Sequence, residues 1–476
     1  MKTMTKLLAL VLAFCLCLSA AAYAAESAGS SDLFTDRDLS GDYDDCMTVT
    51  LAEGASAADG AGVTVDGDTV TITAEGKYRL TGTLENGQIR VAAEDGAKVQ
   101  LVLDGASVTC TGSAALYILS ADKVFLTTAA GSQNALTSLG DFAADSENNV
   151  DGAIFAACDL TLNGAGSLTV KCEKGHGVVC KDDLKLTGGT VDVSALKDGL
   201  NVNDSVRVAG GVLSIAAGSD GIDCSHDDAD KGWIYIGGGE ITIGCYDDGI
   251  HASSELTVAG GVLDVTSYEG LEGMTLAITG GDINLLTTDD GVNAAGSAAA
   301  ALTISGGVLR VNSNGDSLDA NGSLLITGGR IEITGPSNSG NGILDYDLSG
   351  AITGGTVIGT GILGMQVNFT QASTQGSILY TLPGLHAAGT EIALKDSAGN
   401  VIASFTAEES FQVVLVSAPE IQAGQTYTLT VGDTDYTVEM TSLTYGGGSG
   451  FGMGGASGGR GGWGTMGGAS GGWTGY

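Results

Sequence analysis

Six acidic residues recur at one position of a repeating pattern: Asp198, Asp220, Asp248, Glu269, Asp290 and Asp316 each stand directly before a turn residue, a glycine in all but the last case. Three positions further on, Asn201, Asp223, His251, Glu272, Asn293 and Asp319 keep the same spacing. If the repeats stack as strands, each set becomes a column whose neighbours are about 4.8 Å apart. Carboxylates that close repel, so protons or cations must lie between them. Asp247 and Asp289 add charge one residue ahead of the column, and so does the insertion with Asp227, Asp228 and Asp230. Hard oxygen ligands drawn from several layers suit Ca2+ better than zinc, because the four histidines are scattered. The expected ligands are Asp198, Asp220, Asp223, Asp247, Asp248, Glu269, Glu272, Asp289, Asp290, Asp316 and Asp319. The competing reading is that Asp precedes Gly because it caps turns well.

A second set emerges from strand alternation. Just ahead of the glycine pairs, the outward positions are Asp183 and Lys185, Ser205 and Arg207, Trp233 and Tyr235, then Glu255 and Thr257. Lys185, Arg207, Trp233 and Tyr235 would share one exposed sheet face. Aromatic faces stack on sugar rings and the bases pair with uronate carboxylates, so these four are the expected carbohydrate-binding residues. The alternative is that residues 227–231 cover the face. Catalytic signals are thin: there is no GxSxG elbow, no Ser-His-acid motif, and no carboxylate pair stands out from so many acids. No catalytic residue is assigned. A lyase would need a base for the proton beside a uronate, and Lys197, next to Asp198, is the only basic residue beside the regular turns.

The element that must position these groups is a repeat, typified by residues 247–265, DDGIHASSELTVAGGVLDV. Turn glycines at 177, 199, 221, 249, 270 and 291 are 22, 22, 28, 21 and 21 residues apart, and glycine pairs close a strand at 188, 210, 238, 260, 280, 306, 328 and 354. A period near 22 with short alternating strands predicts a parallel β-helix. Alternation points Ile250, Ala252, Leu256, Val258, Leu263 and Val265 inward, with Leu200, Val202, Val206, Val208, Leu213 and Ile215 at matching places. The same register sets Cys180 and Cys224 two rungs apart and Cys172 and Cys245 three, beyond the roughly 7 Å within which Cα atoms can be bridged. These cysteines are expected to be small inward residues, not disulfides.

The flanks frame this repeat. Lys2 and Lys6, an apolar run over 7–18 and the small-residue site at 22–24 predict a signal peptide over 1–24 and a secreted protein, with no membrane span. An N-terminal cap is expected over 25–98, the β-helix over 99–361, a small antiparallel β module over 362–444, and a disordered glycine and tryptophan tail over 445–476. The stretch 36–45, DRDLSGDYDD, opens like an EF-hand loop but has Met47 where the bidentate Glu is needed, so a solvated loop is expected. A net charge of −37 disfavours nucleic acid and anionic membrane as partners. The 43% hydrophobic content argues against disorder despite that charge. The protein is expected to be a monomer.

The rungs LKLTGGTVDVSALKDGLNV and SDGIDCSHDDADKGWIYIGGGEITI, followed by GNGILDYDLSGAITGGTVIGTG, resemble the secreted carbohydrate-binding domain-containing β-helix proteins of clostridial-type bacteria. The likeness runs from Phe34 to Ser442 and includes FTDRDLSGDYDD, KGWIYI and the SILYTL to SAGNVIASF ending in order. It implies an all-β, right-handed parallel β-helix similar to pectate lyases, bound calcium, and binding of plant wall polysaccharides such as cellulose or pectic acid without established catalysis. It carries no residue-level sugar motif. Asp220, Asp223, Asp248, Asp290 and Asp316 match its DGI-type turns, whereas His251 and Leu344 stand where polar or acidic residues are expected. A secreted, calcium-binding, non-catalytic polysaccharide binder is therefore the leading expectation. A uronate-cleaving lyase and a structural surface adhesin are the alternatives.

Overall fold

A computed structural model describes residues 33–142 and 148–447; the expected signal peptide and the tail beyond 447 lie outside them. The chain forms a parallel β-solenoid of about 12 turns with an antiparallel sheet near its C-terminus. Each turn lays down three short strands, one per face. On the first face Leu200 stands between Val178 and Ile222, and the column continues through Ile250, Leu271, Val292 and Leu318. The second face carries Asp183–Leu186, Ser205–Val208 and Trp233–Ile236; the third carries Thr190–Ala195, Val212–Ala217 and Glu240–Gly244.

The repeat 247–265 shows why the sequence folds this way. Its six inward residues are at most 2% exposed, and each sits on an equivalent apolar side chain in the rungs above and below, except that Ala252 meets Gly273 on one side. Burying an aliphatic side chain contributes roughly 1.5–3 kcal/mol, and a lone rung would leave both its edges unpaired, so stability comes from stacking. The glycines are dictated by the corners. A Cβ at Gly249 would lie 2.3 Å from Val265 Cγ1, and Gly261 has φ +91°, which a side chain disfavours.

The N-terminal boundary of the solenoid moves. Parallel pairing starts at Met47–Ala52, which runs alongside Gly76–Leu84, so the solenoid begins well before residue 99. Antiparallel hairpins are confined to 57–58 and 63–72 within that first part. Residues 33–40 do not cover the open end. They form a short helix, α1 (Asp36–Leu39), laid across the second face, because Asp38 has buried lysines to pair with there. Of the stretch 36–45 expected to be a solvated loop, the first part is thus a fixed strap, and 41–45 are irregular and half-buried or exposed.

At the other end, Thr356–Gly361 pairs antiparallel with Phe411–Ser417, joining the solenoid to the C-terminal module. That module has its own core, including Leu394, Leu429 and Val438, under a four-stranded sheet. All seven cysteines of the described residues are free; five are buried, while Cys46 and Cys245 are half-buried. Among the described residues no helix is long and apolar enough to cross a membrane.

Candidate functional site

Along the first face the outward column changes character. After Arg90 it passes through Tyr117, Phe155 and Val179, which pack with Val150 and Phe142 into a small apolar cluster. From Asn201 it becomes polar and runs through Asp223, His251, Glu272, Asn293 and Asp319. Leu344 does not continue it. Leu318 bridges to Leu344, which is fully buried, so the column position passes to Asp345. The turn before that rung is one residue longer than glycine spacing suggests.

The turn column is a hydrogen-bonded ladder. Asp220 N–H donates to Asp198 Oδ1 at 3.3 Å, Asp248 N–H to Asp220 Oδ1 at 3.0 Å, and Asp316 N–H to Asp290 Oδ1 at 2.6 Å. Each such carboxylate spends one oxygen on the next rung; Asp198 gives its other oxygen to Asn201 and His176, whereas Asp220 and Asp290 keep theirs. Turn capping therefore accounts for half of Asp220 and Asp290 and leaves their charge unanswered.

Among the described residues, local cations answer the charge of these columns at two places. His176 lies 3.0 Å from Asp198 and 3.5 Å from Asp151, and Lys197 reaches Asp151 at 3.3 Å. Asp198 is held below the usual carboxylate range there, because hydrogen bonds from His176 and Asn201 outweigh the effect of burial. His251 meets Asp223 at 3.0 Å, and that hydrogen bond pushes the imidazole up to about 9, so a built-in cation sits in the column. Elsewhere the acids are raised. Burial, followed by acidic neighbours, takes Asp220 and Asp316 to about 6 and Asp290 and Asp319 to about 7. Asp248 is raised further, by burial first and then by Glu272.

Two groups of oxygen donors stand out. Asp248, Glu269 and Glu272 have ligand atoms within 4.8 Å of one another, as do Asp220, Asp247 and Asp248. Beside the first group, Asn293 donates from Nδ2 to Glu269 Oε2 at 2.9 Å, and its buried Oδ1 has no hydrogen-bond partner among the described residues. An all-oxygen set with an orphaned amide carbonyl fits a hard divalent cation. Asp223 is grouped with Asp220 and His251, and a charged imidazole there takes the place a cation would fill. Asp290, Asp316 and Asp319 continue the columns, with Asp289 beside them and Asp345 as the neighbour that spacing alone misses.

The four expected sugar contacts separate. Lys185 is 6% exposed beneath α1 and pairs with Asp38 at 3.4 Å, so it cannot face a ligand. Arg207 bonds Asp183 and the Leu33 carbonyl and lies over the Trp233 ring at 4.6 Å. Trp233 and Tyr235 remain half-exposed on adjacent outward positions. The strap, not the 227–231 insertion, covers this face. Lys197 is 47% exposed, with its ammonium 3.3 Å from Asp151.

A family profile described as carbohydrate-binding domain-containing protein matches residues 66–342. A carbohydrate-binding domain-containing protein of Acetivibrio thermocellus is 38% identical over 136 residues, which is 28% of this chain and 48% of that protein. The alignment thus spans about half of that relative's length. A solved structure described as a polysaccharide lyase-like protein from C. thermocellum, a gadolinium derivative, is 32% identical over 51% of this chain and 95% of its own, with a TM-score of 0.45.

Proposed function

Because the chain belongs to the carbohydrate-binding domain-containing protein family, we propose that it is a secreted, calcium-bearing solenoid that binds polysaccharide of the cellulose or pectic acid type without catalysis. The observation that carries the calcium part is the unanswered set Asp248, Glu269 and Glu272 beside the orphaned Asn293 carbonyl. These residues would hold the ion. Bound there, Ca2+ neutralises the column and offers open coordination positions to uronate carboxylates. Trp233 and Tyr235 supply a partly open aromatic strip on another face for sugar rings.

Retention on insoluble cellulose and affinity electrophoresis in pectin test the binding reading, and passage through both without delay would refute it. Incubation with polygalacturonate and Ca2+ tests the absence of catalysis: ultraviolet absorbance from unsaturated products should stay flat, and a steady rise would make the protein a lyase. Replacing both Trp233 and Tyr235 by Ala should weaken pectin binding severalfold while the chain stays folded, with at most a small drop in melting temperature from the lost Arg207 contact. Undiminished retention would remove the aromatic strip from the site.

A further inference from the structure

We propose that the open cleft between the third face of the solenoid and the C-terminal module is a second glycan subsite, selective for neutral hydroxyl-bearing chains over uronates. The proposal rests on the polysaccharide-binding reading and adds to it a place and a ligand class. One wall of the cleft comes from the module, which lies outside the family match over 66–342.

The cleft has a volume of about 310 Å³. Its floor is a polar rail built by four successive strands, whose outward residues Asp264, Asn284, Arg310 and Glu332 are direct register partners. Asn284 donates from Nδ2 to Asp264 Oδ1 at 2.7 Å, and Arg310 Nη1 donates to Asn284 Oδ1 at 3.1 Å. Arg310 Nε lies 3.6 Å from Glu332 Oε2. Each group is therefore held in orientation by its neighbours before any ligand arrives, which removes an ordering cost from binding. Asp264 and Glu408, each held by one amide bond, keep acceptor sites that suit the paired hydroxyls of a sugar ring. The rungs repeat about every 4.8 Å, close to the rise of one sugar in an extended chain.

The second wall supplies what a glycan's apolar faces need. Phe405 from the module and Leu286 on the floor, 52% exposed, offer apolar surface, and Asn312 Nδ2 donates to Glu408 Oε2 at 3.0 Å across the cleft. Charge decides the ligand class. Arg310 is the one cation among the lining residues and is shared with Asp282 and Glu332, and Arg330 from beside the cleft binds the other oxygen of Glu332. Asp264 and Glu408 are held by neutral amides alone, so a uronate chain would bring like charge against two uncompensated carboxylates, and a neutral chain would not.

Calorimetric titration of the full chain with cellohexaose and with hexagalacturonate, each in chelator and in excess Ca2+, tests this. Cellohexaose is expected to bind equally in both conditions. Arg310→Ala and Asn284→Ala should each weaken it about tenfold or more while calcium-dependent retention in pectin stays as in the wild type. Both side chains lie at the surface, so an unchanged melting temperature identifies the loss as local. Undiminished cellohexaose affinity in both variants overturns the proposal, as does equal hexagalacturonate affinity in chelator. If the wild type binds hexagalacturonate alone, the cleft assignment falls and the polysaccharide-binding reading stands; if it binds neither, both fall.

Discussion

Replacing Asp38 by Ala should release the N-terminal strap from the second face at a cost of about 3–5 kcal/mol, because a buried ion pair is broken from one side. Asp38 is completely buried. Lys123 lies 2.7 Å from one of its oxygens and Lys185 3.4 Å from the other, and Thr161 and Thr35 donate to it as well. Burial alone would raise this carboxyl, but the hydrogen bonds from Lys123, the Thr35 N–H and Thr161 outweigh it and hold it well below the usual range. Without Asp38, two ammonium groups are left facing one another under α1. The lowest-energy escape is detachment of a short segment, since the solenoid beneath has its own continuous core. The expected readout is cleavage between residues 33 and 46 by a nonspecific protease, faster by at least about a hundredfold at 1.4 kcal/mol per tenfold, with a much smaller drop in the main unfolding transition. Restoring an apolar match with Asp38→Leu, Lys123→Met and Lys185→Met together should recover protection. Equal protease resistance in wild type and the single variant would show that the strap is held by something other than this triad.

Calcium should change both the amount and the pH dependence of stability. Asp220, Asp290, Asp316 and Asp319 have folded-state values of about 6 to 7, above an unfolded value of 3.8. The folded state therefore holds more protons than the unfolded state across that window, so stability falls as pH rises through it. In chelator, the melting temperature should be highest near pH 4 to 5 and decline toward pH 8. A cation removes the reason for the raised values, and the curve should flatten. At a concentration a hundred times the dissociation constant, one Ca2+ adds about 2.7 kcal/mol. Glu272→Gln removes a donor from the group of Asp248, Glu269 and Glu272 and relieves Asp248 of its neighbouring charge. This variant should be more stable than wild type in chelator at pH 8 and gain less from added Ca2+. A melting temperature that ignores both chelator and pH would refute calcium as the occupant of the column.

How far the site can be read before folding depends on whether a property is local to a rung. The spacing of the glycines and the alternation of Ile250, Ala252, Leu256 and Val258 are local, and each of these residues stands where its rung places it. The acidic columns follow from the same arithmetic, because in a stacked fold equal positions become neighbours. The arithmetic slips at Leu344, where a turn gains a residue and Asp345 takes the column place. It also cannot say that His251 becomes a cation, since that depends on the Asp223 carboxylate meeting its Nδ1.

The sequence by itself determined the solenoid, its inward and outward residues, the unpaired cysteines and the stacking of carboxylates, because each depends only on a period repeated along the chain. The tertiary structure alone decided which outward residues stay open. Lys185 and Arg207 are outward by alternation yet tied down by a segment almost 150 residues or more away in sequence, through bonds to Asp38 and the Leu33 carbonyl. The cleft of Arg310 and Asn284 likewise exists only because Phe405 and Glu408 are folded back beside them. Periodicity sets the direction of a side chain; what later covers or walls that side chain is a long-range contact with no period to betray it.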